Sequence, residues 1–266
     1  MPHASVSGIE IYYELTDFTE PWGSKHLPVV MMHGLGMDHR TWLYQVPEFS
    51  KMRPVVTVDL RGHGQSTDGE NPLTISDMAK DIAALVRNLG FSSAHFVGLS
   101  LGGLVAQKVA LQDPDVAASL VLLGTACGFP DDMLAAVQEG LVFVDNNDVP
   151  AIAQVRVPRI FTDRIDPALR DFMIDEVSKN RPSSYKASAH AAYSFDIRDE
   201  IKAIRAPTLV VVGEEDEVTP LRLSEDICRR IPGAELKTIS DASHAANIDN
   251  APEFNLVLQK FLADLP

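Results

Sequence analysis

Six short runs of apolar, β-branched residues recur along the chain, and patterns typical of helices separate them. Runs of this length with almost no polar residue predict central parallel strands, because helices cover both faces of such a sheet. Strands that alternate with helices indicate an α/β protein with a doubly wound, mostly parallel sheet. The runs are LPVVMMHG (27–34), PVVTVDL (54–60), AHFVG (94–98), SLVLLG (119–124), PTLVVVG (207–213) and AELKTIS (234–240).

The segments around these runs have their own patterns. TISDMAKDIAALVRNLG (74–90) repeats apolar residues at helical spacing and predicts a helix that Thr74 or Ser76 opens and Gly90 closes. PEFNLVLQKFLADL (252–265) predicts a final amphipathic helix. ASVSGIEIYYEL (4–15) alternates instead, which predicts an exposed antiparallel edge hairpin that turns at Gly8.

The alternation stops between about Cys127 and Phe195, where helical patterns follow one another without a strand-like run. Because strands resume at Pro207, we expect an insertion that lies over the sheet. We therefore predict a core of residues 1–126 and 196–266 with a helical cap at 127–195. The cap patterns are DDMLAAVQEGLVFV (131–144), PAIAQVRVPRIF (150–161), PALRDFMIDEVSKN (167–180) and SSYKASAHAAYSF (183–195).

Charge and composition argue against several classes of partner. The 266 residues carry a formal net charge of −14 and have no evident Lys/Arg cluster, so we expect no nucleic-acid or membrane partner. The first residues lack a basic segment followed by an apolar one, and no apolar run is long enough to span a bilayer. We therefore expect a cytoplasmic protein.

We predict neither a metal site nor a cofactor. Cys127 and Cys228 are the two cysteines of the chain and are far apart, so we interpret both as reduced packing residues. The eight histidines form no zinc-binding pattern. GLGMDH (34–39) and GHGQST (62–67) both lack the third glycine of a dinucleotide-binding motif.

Glycines surround one serine in AHFVGLSLGGLVAQ (94–107). Ser100 has two possible interpretations: a serine that caps the following helix, or the nucleophile of a G-x-S-x-G elbow. An elbow holds its serine in a strained turn between a strand and a helix, and its neighbours two residues away must be small. Gly98 and Gly102 occupy those positions, and the flanking patterns predict the strand and the helix.

A serine nucleophile needs a base, and the base needs a carboxylate that orients it. Functional residues of open α/β sheets lie at the carboxyl ends of the strands. At those ends the chain has Ser100, then Asp216 in GEEDEVTP (213–220), then His244 in SDASHAANIDN (240–250). A serine, an acid and a histidine in that order match the order of an α/β-hydrolase triad.

Five motifs in matching order give the chain a resemblance to the α/β-hydrolase family over essentially its full length. Within that family it looks like the capped branch that holds 3-oxoadipate enol-lactonases, small-ester hydrolases and cofactor-free perhydrolases. The resemblance implies an α/β-hydrolase fold with an inserted helical cap. The motifs are HGLG (33–36), DLRGHGQS (59–66), GLSLGG (98–103), GEEDEVTP (213–220) and SHAANIDNAPEFN (243–255).

The resemblance also implies a role for each matching residue. Ser100 is expected to be the nucleophile, His244 the base and Asp216 the acid that holds the imidazole. The backbone N–H groups of Leu35 and Leu101 are expected to bind the tetrahedral oxyanion.

Other polar and aromatic residues are candidates for supporting the site or lining the substrate pocket. Three glutamates next to the acid are rivals for its role, but the family pattern G-x-x-D-x-x-x-P favours Asp216. His33 is expected to hold the loop that presents Leu35, and Asp59 and His63 are interpreted as loop scaffolding. Cap aromatic and methionine residues serve in packing at least as often as in substrate binding. The candidates for the substrate pocket are Trp42, Phe129, Met133, Phe143, Phe161 and Tyr193.

The leading hypothesis is a serine hydrolase that cleaves a small carboxylic ester or lactone through an acyl-enzyme. Carbon–carbon hydrolases of ring-cleavage diketones share the scaffold but often have Asn where Leu99 stands. Perhydrolysis would use the same triad with peroxide in place of water. A non-catalytic ligand receptor on this fold can also retain a triad, so a turnover assay must separate the two classes. The sequence indicates no oligomeric state.

Overall fold

The computed structural model describes residues 2–20, 22, 26–69, 73–263 and 265. Eight strands of these residues form one sheet in the order β1-β2-β4-β3-β5-β6-β7-β8. β1 and β2 pair antiparallel, β2 and β4 pair antiparallel, and the other neighbouring strands are parallel. The strands are β1 (His3–Val6), β2 (Ile9–Thr16), β3 (Val29–Met32), β4 (Val55–Val58), β5 (Ala94–Leu99), β6 (Ala117–Leu123), β7 (Thr208–Gly213) and β8 (Glu235–Ile239).

All six apolar runs form strands, which confirms the α/β interpretation. Every residue of β3, β4, β5 and β7 is buried, as expected for strands that helices cover on both faces. β8 is mostly exposed because it lies at the edge of the sheet. The N-terminal hairpin turns at Ser7 and Gly8, which both have positive φ (50° and 79°), as a two-residue hairpin turn requires.

Helices cover the sheet. The helix predicted over 74–90 runs from Ile75 to Asn88, and Thr74 is its cap, because its side chain accepts from the backbone N–H of Asp77. The helices are α1 (Val46–Phe49), α2 (Ile75–Asn88), α3 (Leu101–Gln112), α4 (Leu134–Asn146), α5 (Val149–Arg156), α6 (Pro167–Ser178), α7 (Pro182–Tyr193), α8 (Leu221–Arg230), α9 (Ala246–Asp249) and α10 (Ala251–Ala263).

The insertion between β6 and β7 is helical, as predicted, and consists of α4 to α7 with short 3-10 segments. Prolines in the first turns of α5, α6 and α7 fix where these helices begin. The insertion contacts the core through polar bonds as well as apolar packing. Asn180 donates to the carbonyl of Gly36 at 2.7 Å, and Arg181 pairs with Asp68.

Two hydrophobic clusters lie on opposite faces of the sheet. One contains α2 and α3 packed on the sheet, with Met78, Ile82 and Val105 fully buried. The other combines α10 with residues of the insertion, including Tyr185.

In the ranges described above, no helix has the length and apolar character that crossing a membrane requires.

Candidate active site

The backbone around Ser100 is strained and tightly packed. Ser100 lies between β5 and α3 with φ 51° and ψ −109°, a conformation that costs energy for a residue with a side chain. A Cβ atom at Gly98 would overlap the backbone of Gly102, and one at Gly102 would overlap the carbonyl of Met32. Glycine at both positions is therefore a steric requirement of the turn that presents Ser100.

Neighbouring strands hold this turn in place. The N–H of Ser100 donates to the carbonyl of Leu123 at 2.8 Å, and the Thr125 hydroxyl donates to the carbonyl of Ser100 at 2.8 Å. Both partners lie at or just after the end of β6. These bonds fix the backbone, while the Ser100 residue as a whole stays partly exposed at the carboxyl end of the sheet.

His244 and Asp216 form a buried hydrogen-bonded pair. Nδ1 of His244 lies 2.9 Å from Oδ2 of Asp216, and the residues are 3% and 6% exposed. The Thr219 hydroxyl donates to the same Oδ2 at 2.8 Å, and the backbone N–H groups of Val218 and Thr219 donate to Oδ1. With an ionised carboxylate as its partner, Nδ1 carries the proton, which leaves Nε2 as an acceptor.

The environment of Asp216 favours its charged form. Burial raises the pKa of this carboxyl, but the charge and hydrogen bond of His244 and the donors from Thr219 outweigh burial, so the pKa lies below its usual range. The rival carboxylates Glu214, Glu215 and Glu217 are exposed. Glu215 pairs with Arg164 at 2.5 Å, on the surface.

Gly124, directly after β6, connects the serine to this pair. A Cβ atom on Gly124 would lie 3.1 Å from Nδ1 of His244 and 3.3 Å from Oδ2 of Asp216. Its neighbour Thr125 binds the carbonyl of Ser100. The three predicted triad residues are therefore grouped around the end of one strand. Among the described residues the Ser100 hydroxyl makes no direct hydrogen bond to His244. Hydrogen bonds between a nucleophile and its base are often long without substrate and tighten only when substrate binds.

The loop that carries His244 is anchored to the insertion. Oδ2 of Asp249 accepts from the backbone N–H of Ser243 at 2.8 Å and from that of Thr162 at 3.0 Å. The N–H of Ala245 donates to the carbonyl of Ile160 at 2.9 Å. Sequence reasoning missed Asp249, although it lies within the quoted motif SHAANIDNAPEFN.

The peptide bond between Gly34 and Leu35 is held in one orientation. The carbonyl of Gly34 accepts from Nδ1 of His33 at 2.7 Å and from the N–H of Met37 at 3.1 Å. In a trans peptide the N–H points away from the carbonyl, so these bonds direct the Leu35 N–H to the opposite side. Nε2 of His33 accepts from the N–H of Leu60 at 3.0 Å, which fixes the tautomer.

Two backbone donors near Ser100 are uncommitted. Within the described part of the chain, neither the N–H of Leu35 nor that of Leu101 donates to another group. Leu101 is the first residue of α3, where N–H groups have no partner inside the helix. A Cβ atom at Gly34 would lie 3.6 Å from the Cβ of Ser100, so the two loops are in contact.

The loop after β4 contains a second network of buried polar groups. Asp59 accepts from the N–H and Nδ1 of His39 and from the N–H of Gln65. Nδ1 of His63 lies 3.1 Å from the carbonyl of Arg61, and its ring lies 5.0 Å from that of His33. Burial lowers the pKa of His63 to about 3 and also lowers that of His33, so both rings are neutral. These contacts agree with a scaffolding role.

One group of residues near this loop has the composition of a metal site. Single ligand atoms of Asp38, His39 and Asp59 lie within 4.8 Å of one another. Each is already engaged, since His39 binds Asp59 and Asp38 binds Arg40. The Arg40 guanidinium supplies the positive charge that a cation would bring, so the group is satisfied within the protein.

The predicted pocket residues lie in different environments. Trp42 is completely buried, and Phe161 is 5% exposed. The rings of Phe129 and Tyr193 stack with centroids 5.9 Å apart. Met133 and Phe143 are half-buried, on the 3-10 turn before α4 and on α4 itself.

Several known proteins are similar to this chain over most of its length. The 3-oxoadipate enol-lactonase 1 of Acinetobacter baylyi is 28% identical over 248 residues, which cover 91% of each protein. The solved enol-lactonase from Burkholderia xenovorans is 28% identical with a TM-score of 0.89, covering 99% of this chain and 100% of its own. An esterase from Thermogutta terrifontis is 26% identical with a TM-score of 0.87, covering 99% and 98%.

A sequence profile of one protein family matches most of the chain. The profile is described as alpha/beta hydrolase fold and matches residues 28–251. This region extends from just before β3 to the start of α10 and includes Leu35, Ser100, Asp216 and His244. The chain therefore belongs to the alpha/beta hydrolase fold family.

Proposed function

We propose that this protein is a serine hydrolase that cleaves small carboxylic esters or lactones through an acyl-enzyme. The observation that carries the proposal is a strained serine beside two uncommitted backbone N–H groups and a histidine with a fixed tautomer. Each feature supplies one requirement of acyl transfer: a nucleophile, an oxyanion site and a base.

The first half of the reaction forms the acyl-enzyme. The Ser100 oxygen attacks the substrate carbonyl, and Nε2 of His244 takes the hydroxyl proton. The N–H groups of Leu35 and Leu101 bind the resulting oxyanion, and each such donor contributes about 3 kcal/mol in comparable enzymes. Asp216 stabilises the imidazolium. When the tetrahedral intermediate collapses, His244 returns its proton to the leaving alcohol.

The second half repeats these steps with water. His244 takes a proton from water, the hydroxide attacks the acyl carbon, and the ester bond to Ser100 breaks. The serine oxygen recovers its proton from His244, and the carboxylic acid leaves. In a lactone, acid and alcohol belong to one molecule, so the product is a single hydroxy acid or its keto tautomer.

The names of the relatives support esters and lactones as the substrate class. Two of the proteins compared above are enol-lactonases and one is an esterase. Phe129 and Tyr193 offer apolar surface in the insertion, which suits a small acyl or alcohol group.

Covalent labelling tests the nucleophile. We expect a fluorophosphonate probe to label the wild type at Ser100 and to leave Ser100→Ala unlabelled, with an unchanged circular dichroism spectrum. Ser194→Ala is the matched control, because Ser194 is exposed on the insertion and should not affect labelling. Undiminished labelling of Ser100→Ala would show that another residue is the nucleophile. Turnover of p-nitrophenyl esters and aliphatic and enol lactones then defines the substrate class.

A further inference from the structure

Arg156 is a half-buried cation in the insertion without a carboxylate partner. It is the last residue of α5, its Nη2 donates to the carbonyl of Gly140 at 3.2 Å, and it forms no ion pair with any residue that the structure describes. Two other arginines of this acidic chain that are buried or partly buried are neutralised by carboxylates. Arg61 binds Asp81 at 2.7 Å, and Arg40 binds two carboxylates.

Two tyrosine side chains lie beside the Arg156 guanidinium. Its central carbon lies 5.3 Å from the ring centroid of Tyr193, whose other neighbour is Phe129. The Tyr185 phenol also faces Arg156. Burial raises the pKa of Tyr185, and the charge and hydrogen bond of Arg156 counteract part of that rise. Aromatic neighbours leave the charge of a half-buried guanidinium without a counter-ion, so an anion that reaches it would be attracted.

Tyr185 connects this cation to the candidate oxyanion loop. A Cβ atom on Gly36 would lie 2.7 Å from Cε2 of Tyr185, so the ring rests directly on the backbone of Gly36. Gly36 follows Leu35, whose N–H is one of the two uncommitted donors. Tyr185 therefore contacts both Arg156 and the loop that carries Leu35.

We propose that Arg156 binds a carboxylate of the substrate, so that the preferred ester or lactone carries a negative charge away from the scissile bond. This inference rests on the proposed hydrolase function. The guanidinium fork matches a carboxylate with two parallel hydrogen bonds, and no step of acyl transfer involves that carboxylate. Binding it would place the scissile carbonyl at a fixed distance from Arg156.

A structural role for Arg156 is the alternative. A cation at the end of α5 also stabilises the helix dipole, and its bond to Gly140 joins α4 to α5. That role would affect hydrolysis of charged and neutral substrates equally. The ratio of kcat/KM for matched charged and neutral esters separates the two roles, because effects on folding cancel within one variant.

The experiment uses half-methyl esters of dicarboxylic acids and methyl alkanoates of the same length. Methanol release gives kcat and KM for each ester in a series of increasing chain length. We expect the wild type to prefer the charged ester by at least about tenfold at an optimal length. Arg156→Gln should lower the charged-to-neutral ratio by about 10- to 100-fold, mainly through KM. Arg156→Lys should give an intermediate ratio because it keeps the charge but not the fork.

Arg159→Gln is the matched control. Arg159 is an exposed cation three residues away, so its loss changes the net charge equally and should leave the ratio at the wild-type value. Two results would overturn this inference alone. One is a wild type that hydrolyses neutral esters but shows no preference for charged esters at any length, and the other is an unchanged charged-to-neutral ratio of kcat/KM in Arg156→Gln. No turnover of any ester together with an unlabelled Ser100 would overturn the proposed function as well.

Discussion

The hydroxyl of Thr219 donates a hydrogen bond to Oδ2 of Asp216 at 2.8 Å and lies 3.1 Å from Nδ1 of His244. Thr219 thus binds the same carboxylate oxygen that holds the histidine. A buried carboxylate with several donors stays ionised and keeps one orientation, and both properties are needed for it to stabilise an imidazolium.

Removing this hydroxyl should impair catalysis. Thr219→Val keeps the shape of the side chain but takes one donor from a buried charged group, so we expect a loss of about 1–3 kcal/mol in stability and about tenfold in kcat. Thr219→Ser keeps the donor and should remain close to wild type. Urea denaturation and ester kinetics measure both effects. Equal losses in the two variants would mean that the methyl group matters and the hydroxyl does not.

Asp216→Asn should cause a larger loss. The amide keeps the shape but favours the wrong tautomer of His244 and removes the charge that stabilises its protonated form, so kcat should fall by about 10⁴-fold. Glu217→Gln is the control, because Glu217 lies next to Asp216 in sequence and is exposed. Kinetics on one ester compare the two. A large loss confined to Glu217→Gln would move the acid to that residue.

Gly124→Ala should reduce activity by more than the strain of an alanine at positive φ would cause. Gly124 has φ 51°, and a Cβ atom there would lie 2.9 Å from the carbonyl oxygen of His244. Gly233→Ala is the control, because Gly233 also has positive φ but its Cβ would meet nothing within 4 Å. The backbone conformation should cost both variants about 1–2 kcal/mol of stability, and the contact with His244 should add to the loss in Gly124→Ala. We expect kcat to fall at least about tenfold only in Gly124→Ala, and equal kinetics would contradict the steric argument.

His63 should make the protein sensitive to acid. Its pKa is lowered by burial to about 3 in the folded state, while an unfolded histidine titrates near 6.5. Between these values the unfolded state binds more protons, so stability falls as pH decreases, by about 1.4 kcal/mol per pH unit for one such group. Above about pH 6.5 this contribution is complete.

Replacing His63 by Asn should reduce that slope. Urea denaturation at pH 7.5, 6.5, 5.5 and 4.5 measures it, and we expect His63→Asn to start from lower stability but to lose less between pH 6.5 and 4.5. His26→Asn is the control, since His26 is exposed and should not alter the slope. A wild-type slope in His63→Asn would show that other groups cause the acid sensitivity.

The sequence predicted the central strands β3, β4, β5 and β7 well because they are buried on both faces and therefore almost entirely apolar. The same argument predicted that Ser100, Asp216 and His244 lie at the carboxyl ends of strands, where the structure has them, while their catalytic roles stay a prediction. The bounds of the helices in the insertion were close to those observed because Pro150, Pro167 and Pro182 mark first turns.

Residues that act through tertiary contacts could not be predicted in this way. Thr219, Thr125 and Asp249 have no distinctive spacing, and each gains its partner only when two loops meet. Arg156 was missed for a related reason, because a lone arginine in an amphipathic helix has the same sequence pattern as a solvated one. Its lack of an acidic partner is visible only after folding.

The insertion holds both loops that the proposed chemistry uses. Asn180 binds the carbonyl of Gly36, while the backbone of Ile160 and Thr162 binds the segment of His244 through Ala245 and Asp249. Swinging the whole insertion outward would break these bonds and release the base and an oxyanion donor together. Substrate entry is therefore compatible with rotation of side chains at the boundary between the insertion and the core. An insertion transplanted from a relative would need equivalent hydrogen bonds to both loops before it could transfer substrate specificity.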